Sequence, residues 1–270
     1  MSELGIETSI LSVARPGFFF GDRLRAATMA RNVNEYAADL VRHSPRSFGF
    51  FLSLPLPSID DSLGEITRGF DELGCDGVVM LANQDGVYLG DPQLDPIFEE
   101  LDRRSALLFV HPNALPASSP VKDVPVFVAD FLLDTTRAAL NLVRHGFFTR
   151  FPHIRTILSH GGGFLPYAAH RIASLTPAAA DGPSTRAEFL EHCRRFYFDT
   201  ALTASRDSLP SLLEFAGSGR ILYGSDFPYA RGDNSQYFTN QLRDAGLQPD
   251  IVTAIESGTA RALIPRLADL

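Results

Sequence analysis

Three residues able to bind a metal ion or carry a proton stand at the ends of short apolar runs. Leu107-Leu108-Phe109-Val110 leads into His111-Pro112, and Thr156-Ile157-Leu158-Ser159 into His160-Gly161-Gly162-Gly163. Arg220-Ile221-Leu222-Tyr223-Gly224-Ser225 leads into Asp226-Phe227-Pro228. Each run has strand character and stops at Gly or Pro. Neutral imidazole is a ligand for zinc and similar ions, and a carboxylate either ligates or moves a proton. Taken singly, each residue has a plainer reading: His111 as a core histidine, His160 as part of a turn, Asp226 as a helix N-cap. In this order, each on a strand end, they fit the way a parallel (β/α) barrel builds a catalytic face from strand C-termini. The glycines after His160 let backbone approach a ligand and lead into a helix N-terminus. Asp199 also ends a strand-like run and is read as a cap, while His43, His145, His153, His170 and His192 sit in or beside helical segments with charged neighbours.

The elements that must position these residues alternate between strand and helix, which favours a parallel sheet wrapped by helices. Strands are expected at Ile6–Val13, Phe48–Leu54, Gly77–Leu81, Leu107–Val110, Thr156–Ser159, Phe196–Phe198 and Ile221–Gly224. Helices are expected at Leu24–Arg42, Asp60–Leu73, Asp95–Arg104, Val126–Arg150, Phe164–Ala173 and Ser208–Ala216, with two more between Tyr237 and Leu267. The Pro- and Ser-rich stretch Pro112–Pro125 follows His111 directly and is read as a lid or substrate wall. Seven strands fall one short of a closed barrel of this type. The opening Met1-Ser2-Glu3-Leu4-Gly5-Ile6 reads as the last turn of a helix, a glycine stop and entry into a strand. The expectation is therefore one α/β domain over residues 1–270, a TIM-like barrel of the metal-dependent hydrolase type lacking its first strand.

Composition narrows the partners. The chain has 270 residues, 45% of them hydrophobic and 21% charged, enough for a sizeable core. A net charge of −8 argues against a nucleic-acid surface. Cys75 and Cys193 form no C-x-x-C pair and read as thiols in a reducing cytoplasm. No apolar stretch approaches the ~18–20 residues that span a bilayer.

His111-Pro112, His160-Gly161-Gly162-Gly163 and Gly224-Ser225-Asp226-Phe227-Pro228 resemble the strand ends of the amidohydrolase-related (amidohydrolase-2) family. Arg31-Asn32-Val33-Asn34-Glu35-Tyr36, Phe50 to Pro55 and Leu133-Asp134-Thr135-Thr136-Arg137 resemble its connecting segments, and the likeness covers essentially the whole chain. Asp-Thr-Thr-Arg and the loop after His111 look most like the branch of 6-methylsalicylate and α-amino-β-carboxymuconate-ε-semialdehyde decarboxylases. That resemblance implies a metal-dependent, non-oxidative carboxy-lyase acting on a small aromatic or unsaturated carboxylic acid. Hydrolysis of a lactone or amide is the alternative. It implies a divalent ion, zinc before manganese, held by a first-strand His-x-His with His111 and Asp226, and proton transfer by His160. This sequence contains no His-x-His, so His160 becomes the candidate third ligand, Asp226 shares the proton work, and weak catalysis is a further expectation. Arg171 matches an arginine that reaches a neighbouring subunit's substrate carboxylate, against a plainer reading as a surface residue, and a homodimer is implied.

Overall fold

The structure, a computed structural model, describes every residue except Ser118, Pro120, Asp269 and Leu270. In chain order the elements are β1 (Ser9–Leu11), α1 (Arg23–His43), β2 (Phe48–Ser53), α2 (Ile59–Arg68), β3 (Gly77–Leu81), β4 (Asn83–Gln84), β5 (Val87–Tyr88), α3 (Asp95–Arg103) and β6 (Leu107–His111). There follow α4 (Asp130–Arg144), α5 (Phe147–Arg150), β7 (Arg155–Leu158), α6 (Leu165–Leu175), α7 (Arg186–Cys193), β8 (Tyr197–Asp199), α8 (Leu209–Ala216), β9 (Ile221–Leu222), α9 (Gly232–Arg243), α10 (Pro249–Thr253) and α11 (Thr259–Leu263).

Seven strands form one curled parallel sheet in the order β1-β2-β3-β6-β7-β8-β9, and β4 and β5 make a separate antiparallel hairpin. Among the described residues β1 and β9 do not pair with each other, so the barrel is open between them. A cavity of about 300 Å³ lies along that seam, lined in part by Ile6, Thr8, Tyr223 and Glu256. Parallel strands covered on both faces are apolar throughout, as Phe48-Gly49-Phe50-Phe51-Leu52 shows.

Strand alternation sorts side chains into two layers. Phe50, Leu52, Val78, Met80, Leu108, Val110 and Leu158 pack outward into the helical shell. Phe51, Val79, Leu107, Ile157 and Leu222 point inward and meet Leu263, Ile264 and Leu267 from the C-terminal segment, which floors the barrel. His111 lies two and four residues beyond Phe109 and Leu107, and so faces the same interior.

The structure departs from the sequence reading in several places. The expected helix over Val126–Arg150 is divided: a 3-10 turn at Val126–Val128, then α4, then α5 beyond Gly146 at φ 68°. Helix α7 and the β4–β5 hairpin are additions to the expected elements; α7 carries a capping box in which Thr185 and Glu188 exchange side-chain and backbone hydrogen bonds. Strand β1 is three residues long rather than eight. The described part of the Pro112–Pro125 loop leans on the hairpin, with Asn83 Nδ2 donating to the Ala114 carbonyl at 3.1 Å. Ser118 and Pro120 of that loop lie outside the described residues.

Candidate metal and acid–base centre

His111 is the last residue of β6, and its ring is almost fully buried. Its Nδ1 lies 2.8 Å from the Pro112 carbonyl. A carbonyl only accepts, so Nδ1 carries the proton and Nε2 keeps its lone pair. Burial pushes the His111 imidazole down to about 4, helped by the nearby His160. It is neutral, the form that ligates a metal.

His160 opens the turn after β7, with Nδ1 3.1 Å from the Ala201 carbonyl, which again leaves Nε2 free. Its backbone φ is +54°, and glycines at +62°, +73° and +64° follow. A Cβ on Gly162 would strike the Phe198 ring, and one on Gly163 the Leu132 carbonyl oxygen. The glycine run is a steric requirement of the turn that aims His160 inward. Asp199 braces that turn: its Oδ1 accepts the backbone N–H of His160 at 2.7 Å and of Ala201 at 3.0 Å. Its reading as a cap describes the bonds, but the residue also lines the cavity.

Asp226 stands four residues past the end of β9, not on it. Tyr223 N–H bonds the Ile255 carbonyl at 2.8 Å instead of the sheet, and the chain then enters a loop with Asp226 at φ +54°. Its carboxylate accepts no hydrogen bond from the described residues, which removes the N-cap reading. Burial pushes its pKa up, opposed by His160.

These residues come together. One ligand atom each from His111, His160 and Asp226 lie within 4.8 Å of one another, and the two imidazole rings stand 5.7 Å apart. Donors around one zinc-sized ion sit at most about 4 Å apart, so a small inward shift would close the set on a single cation. Two imidazoles with free Nε2 and a carboxylate without a donor suit a borderline divalent ion in their chemistry. They face a cavity of about 270 Å³ whose apolar wall includes Phe51, Phe109, Ile157 and Phe227. None of the described residues of the Pro112–Pro125 loop lines it; Ile10, Ser12 and the Phe227-Pro228-Tyr229 segment supply those sides. Arg171 lies apart, exposed on α6.

Residues 5–266 match the family model described as amidohydrolase. The chain belongs to the amidohydrolase family. It is 38% identical over 274 residues to 6-methylsalicylic acid decarboxylase of Penicillium expansum, covering 98% of this chain and 84% of that protein. A solved structure of an amidohydrolase II superposes with a TM-score of 0.90 at 31% identity, covering 97% of this chain and 85% of the other. The dihydroxybenzoic acid decarboxylase of Polaromonas sp. JS666, solved with bound manganese and the inhibitor 2-nitroresorcinol, gives a TM-score of 0.85 at 26% identity over 97% and 83% of the two chains.

Within this amidohydrolase scaffold, Leu133-Asp134-Thr135-Thr136-Arg137 serves the site, as linear reading could not reveal. Thr136 Oγ1 accepts the Phe164 N–H at 2.9 Å and steadies the end of the glycine turn. Asp134 is fully buried and accepts from Asn83 Nδ2, Tyr88 Oη and the Asn113 N–H. Burial pushes its pKa up, while those donors and Arg137 oppose the rise. The family likeness of this segment marks it in the sequence, but nothing in the linear order points to Asn83, Tyr88 or Asn113 as its partners.

Proposed function

We propose that this chain, with residues 1–270 acting as one barrel unit, is a metal-dependent non-oxidative decarboxylase of a small aromatic carboxylic acid. The observation that carries this reading is the convergence of His111, His160 and Asp226 on one point of an apolar-walled cavity. The likeness to 6-methylsalicylic acid decarboxylase supports the substrate class. His111 and Asp226 hold the ion, zinc first and manganese as the alternative, and His160 completes the donor set or turns to proton transfer. When bound, the ion supplies positive charge against the oxygens of the substrate.

The residues of the chain do the rest. Phe51, Phe109 and Phe227 receive the ring and exclude water, which strengthens every electrostatic contact inside. His160 and Asp226 share the proton that must reach the ring carbon bearing the carboxylate. Once that carbon is protonated, the bond to the carboxylate breaks, carbon dioxide leaves, and its electron pair restores the aromatic ring. One proton enters and one carbon dioxide departs, with no change of oxidation state in any external reagent.

The assembly proposed is a homodimer in the cytoplasm. Phe164, Tyr167 and Leu175 are exposed on and beside α6, with Phe127 and Val128 exposed before α4, and large apolar side chains left exposed in this number support a partner surface. Arg171 on α6 would then reach the substrate carboxylate of the neighbouring subunit. No helix among the described residues is long and apolar enough to cross a membrane.

The test is incubation of the purified chain with zinc or manganese and 6-methylsalicylate or 2,6-dihydroxybenzoate, following carbon dioxide and the decarboxylated phenol. Metal-dependent release of both supports the assignment. Turnover of lactones or amides with no carbon dioxide from any aromatic acid would establish the hydrolase alternative instead.

A further inference from the structure

One peptide group joins the metal-facing histidine to a buried carboxylate. The Pro112–Asn113 peptide presents its carbonyl to His111 Nδ1 at 2.8 Å and its N–H to Asp134 Oδ2 at 2.8 Å. Asp134 has no exposure to solvent. Three donors reach its two oxygens: Asn83 Nδ2, shared between them at 2.9 and 3.0 Å, Tyr88 Oη at 2.7 Å and the Asn113 N–H at 2.8 Å. The Asn83 amide nitrogen and the Asn113 N–H can only donate, and with Tyr88 donating as well the geometry suits an ionised, acceptor-only group.

We propose that Asp134 is a positioning residue for His111, acting through the Pro112–Asn113 peptide to hold the imidazole in the Nδ1–H form with Nε2 aimed into the site. A carboxylate that accepts from the amide N–H polarises the amide and makes its carbonyl a stronger acceptor, because hydrogen bonds in series reinforce one another. The stronger carbonyl holds the Nδ1 proton and raises the basicity of Nε2. Metal-ligating histidines commonly give their second N–H to a carboxylate or carbonyl, and losing that partner costs about 10–100-fold in metal affinity. Here carboxylate and carbonyl act in line, with the peptide between them.

The same carboxylate also ties down the surroundings. Asn83 Nδ2 shares itself between Asp134 and the Ala114 carbonyl, and Asn113 Nδ2 returns a bond to the Asn83 carbonyl at 3.1 Å. A purely architectural Asp134 would hold hairpin and loop together without selecting a tautomer of His111. The two roles therefore separate on a readout that sees the ring nitrogens. The metal part of the argument rests on His111 being a ligand, as proposed above; the tautomer part does not.

The experiment is long-range ¹H–¹⁵N correlation of the imidazoles in the metal-free protein near neutral pH, with His111 assigned by the loss of its signals in His111→Gln. The wild-type chain is expected to show His111 as the Nδ1–H tautomer, with a slowly exchanging Nδ1 proton. Asp134→Asn is expected to mix in the Nε2–H form and to weaken zinc binding, measured by chelator competition, by about 10–100-fold. Tyr88→Phe removes a different donor from the same carboxylate and spares the peptide link. It is expected to leave the tautomer unchanged.

A folded Asp134→Asn protein with the His111 tautomer unaltered would overturn the proposal, as would an Nε2–H ring in the wild-type spectrum, which decides the matter if the variant does not fold. An equal tautomer shift in Tyr88→Phe would overturn it too, by reducing the effect to general loosening. If the tautomer shifts in Asp134→Asn alone but zinc affinity is insensitive to His111→Gln, positioning by Asp134 stands and the ligand role of His111 fails.

Discussion

Charges on the outer shell of the barrel and charges at its mouth obey opposite rules. Where α1 and α2 pack against the end of β2, the buried ionic groups have found one another. Arg68, its side chain 8% exposed, bonds both oxygens of Glu65 at 3.0 and 2.6 Å and Glu35 at 3.2 Å. Asn34 donates to Glu65 at 2.7 Å and clamps both backbone groups of Ser53. At the mouth, His111, His160 and Asp226 make no hydrogen bonds with one another among the described residues, although their donor atoms lie within 4.8 Å. His160 and Asp226 also hold left-handed backbone angles that cost a non-glycine residue of order 1 kcal/mol or more. Mutual satisfaction marks a region selected for holding the fold. Convergence without satisfaction marks one selected for something that arrives from outside.

The sharpest way to break this contrast is to neutralise one group in each region. Asp226→Asn is expected to reduce kcat/KM for decarboxylation by about 10³-fold or more, since it removes a charge that only the reaction uses. The melting temperature of the metal-free protein should hold or rise, because a partly buried carboxylate without a donor contributes nothing to the fold. A fall of many degrees together with retained turnover would reverse the assignment of that residue.

Arg68→Met should do the opposite. Taking away one partner of a buried pair strands the other, at about 3–5 kcal/mol. For a chain of this size that is a drop on the order of 10 °C. Turnover per folded molecule should stay near the parent value, as distant sites add independently. Denaturant titration beside active-site-normalised kinetics separates the two quantities.

The two regions also differ in how far the linear sequence discloses them. His111 is legible because strict alternation from Leu107 through Phe109 places it inward, and the apolar run leaves it as the single polar inward side chain. The glycines after His160 are legible because three together have no cheap alternative explanation. Asp226 is legible as a residue but not as a strand end: two-residue β9 stops early because Tyr223 bonds the C-terminal segment, a partner more than thirty positions away. Asp134 is illegible in its role. Its partners come from the β4–β5 hairpin and the loop after β6, and only the tertiary fold brings them to one carboxylate. The expected helix over 126–150 is cut at Gly146, where the backbone turns left-handed although the hydrophobic period continues. Periodicity reports which face is apolar and says little about where a helix is cut.

Glycines sharpen the comparison at smaller amplitude. Gly64 lies inside α2, and a Cβ built there meets nothing within 4 Å. Gly64→Ala should stabilise the chain by about 0.5–1 kcal/mol, because alanine loses less backbone entropy in a helix. Gly163→Ala, by contrast, puts a methyl group into the Leu132 carbonyl at a backbone angle that disfavours any side chain. Thermal melts of the two variants should move in opposite directions; equal shifts would mean that the glycine turn at the mouth is as tolerant as the scaffold.

The smallest effect comes from a surface charge in the satisfied region, and its pH dependence identifies it. Glu100 accepts from Arg103 Nε at 2.8 Å and Nη2 at 2.6 Å, and from Arg104 Nε at 2.5 Å. The Arg103 hydrogen bonds are the first cause of a carboxyl pKa lowered from 4.5 to about 2, with Arg104 adding to it against desolvation. A depressed carboxylate stabilises the fold above its unfolded pKa. That contribution is lost as pH falls from about 4.5 toward about 2, when the native state must take up a proton that the unfolded chain already binds. Because the Arg103 side chain is 64% exposed, solvent and salt screen the pair and the gain is small. Glu100→Gln should therefore melt within about 2 °C of the parent at neutral pH, with the gap narrowing below about pH 4.5 and shrinking in high salt. A gap that persists unchanged into acid would assign the effect to shape and hydrogen-bond geometry rather than to charge. Asp226→Asn carries no such acid-dependent loss of stability, because the carboxylate it removes has no donor to give up.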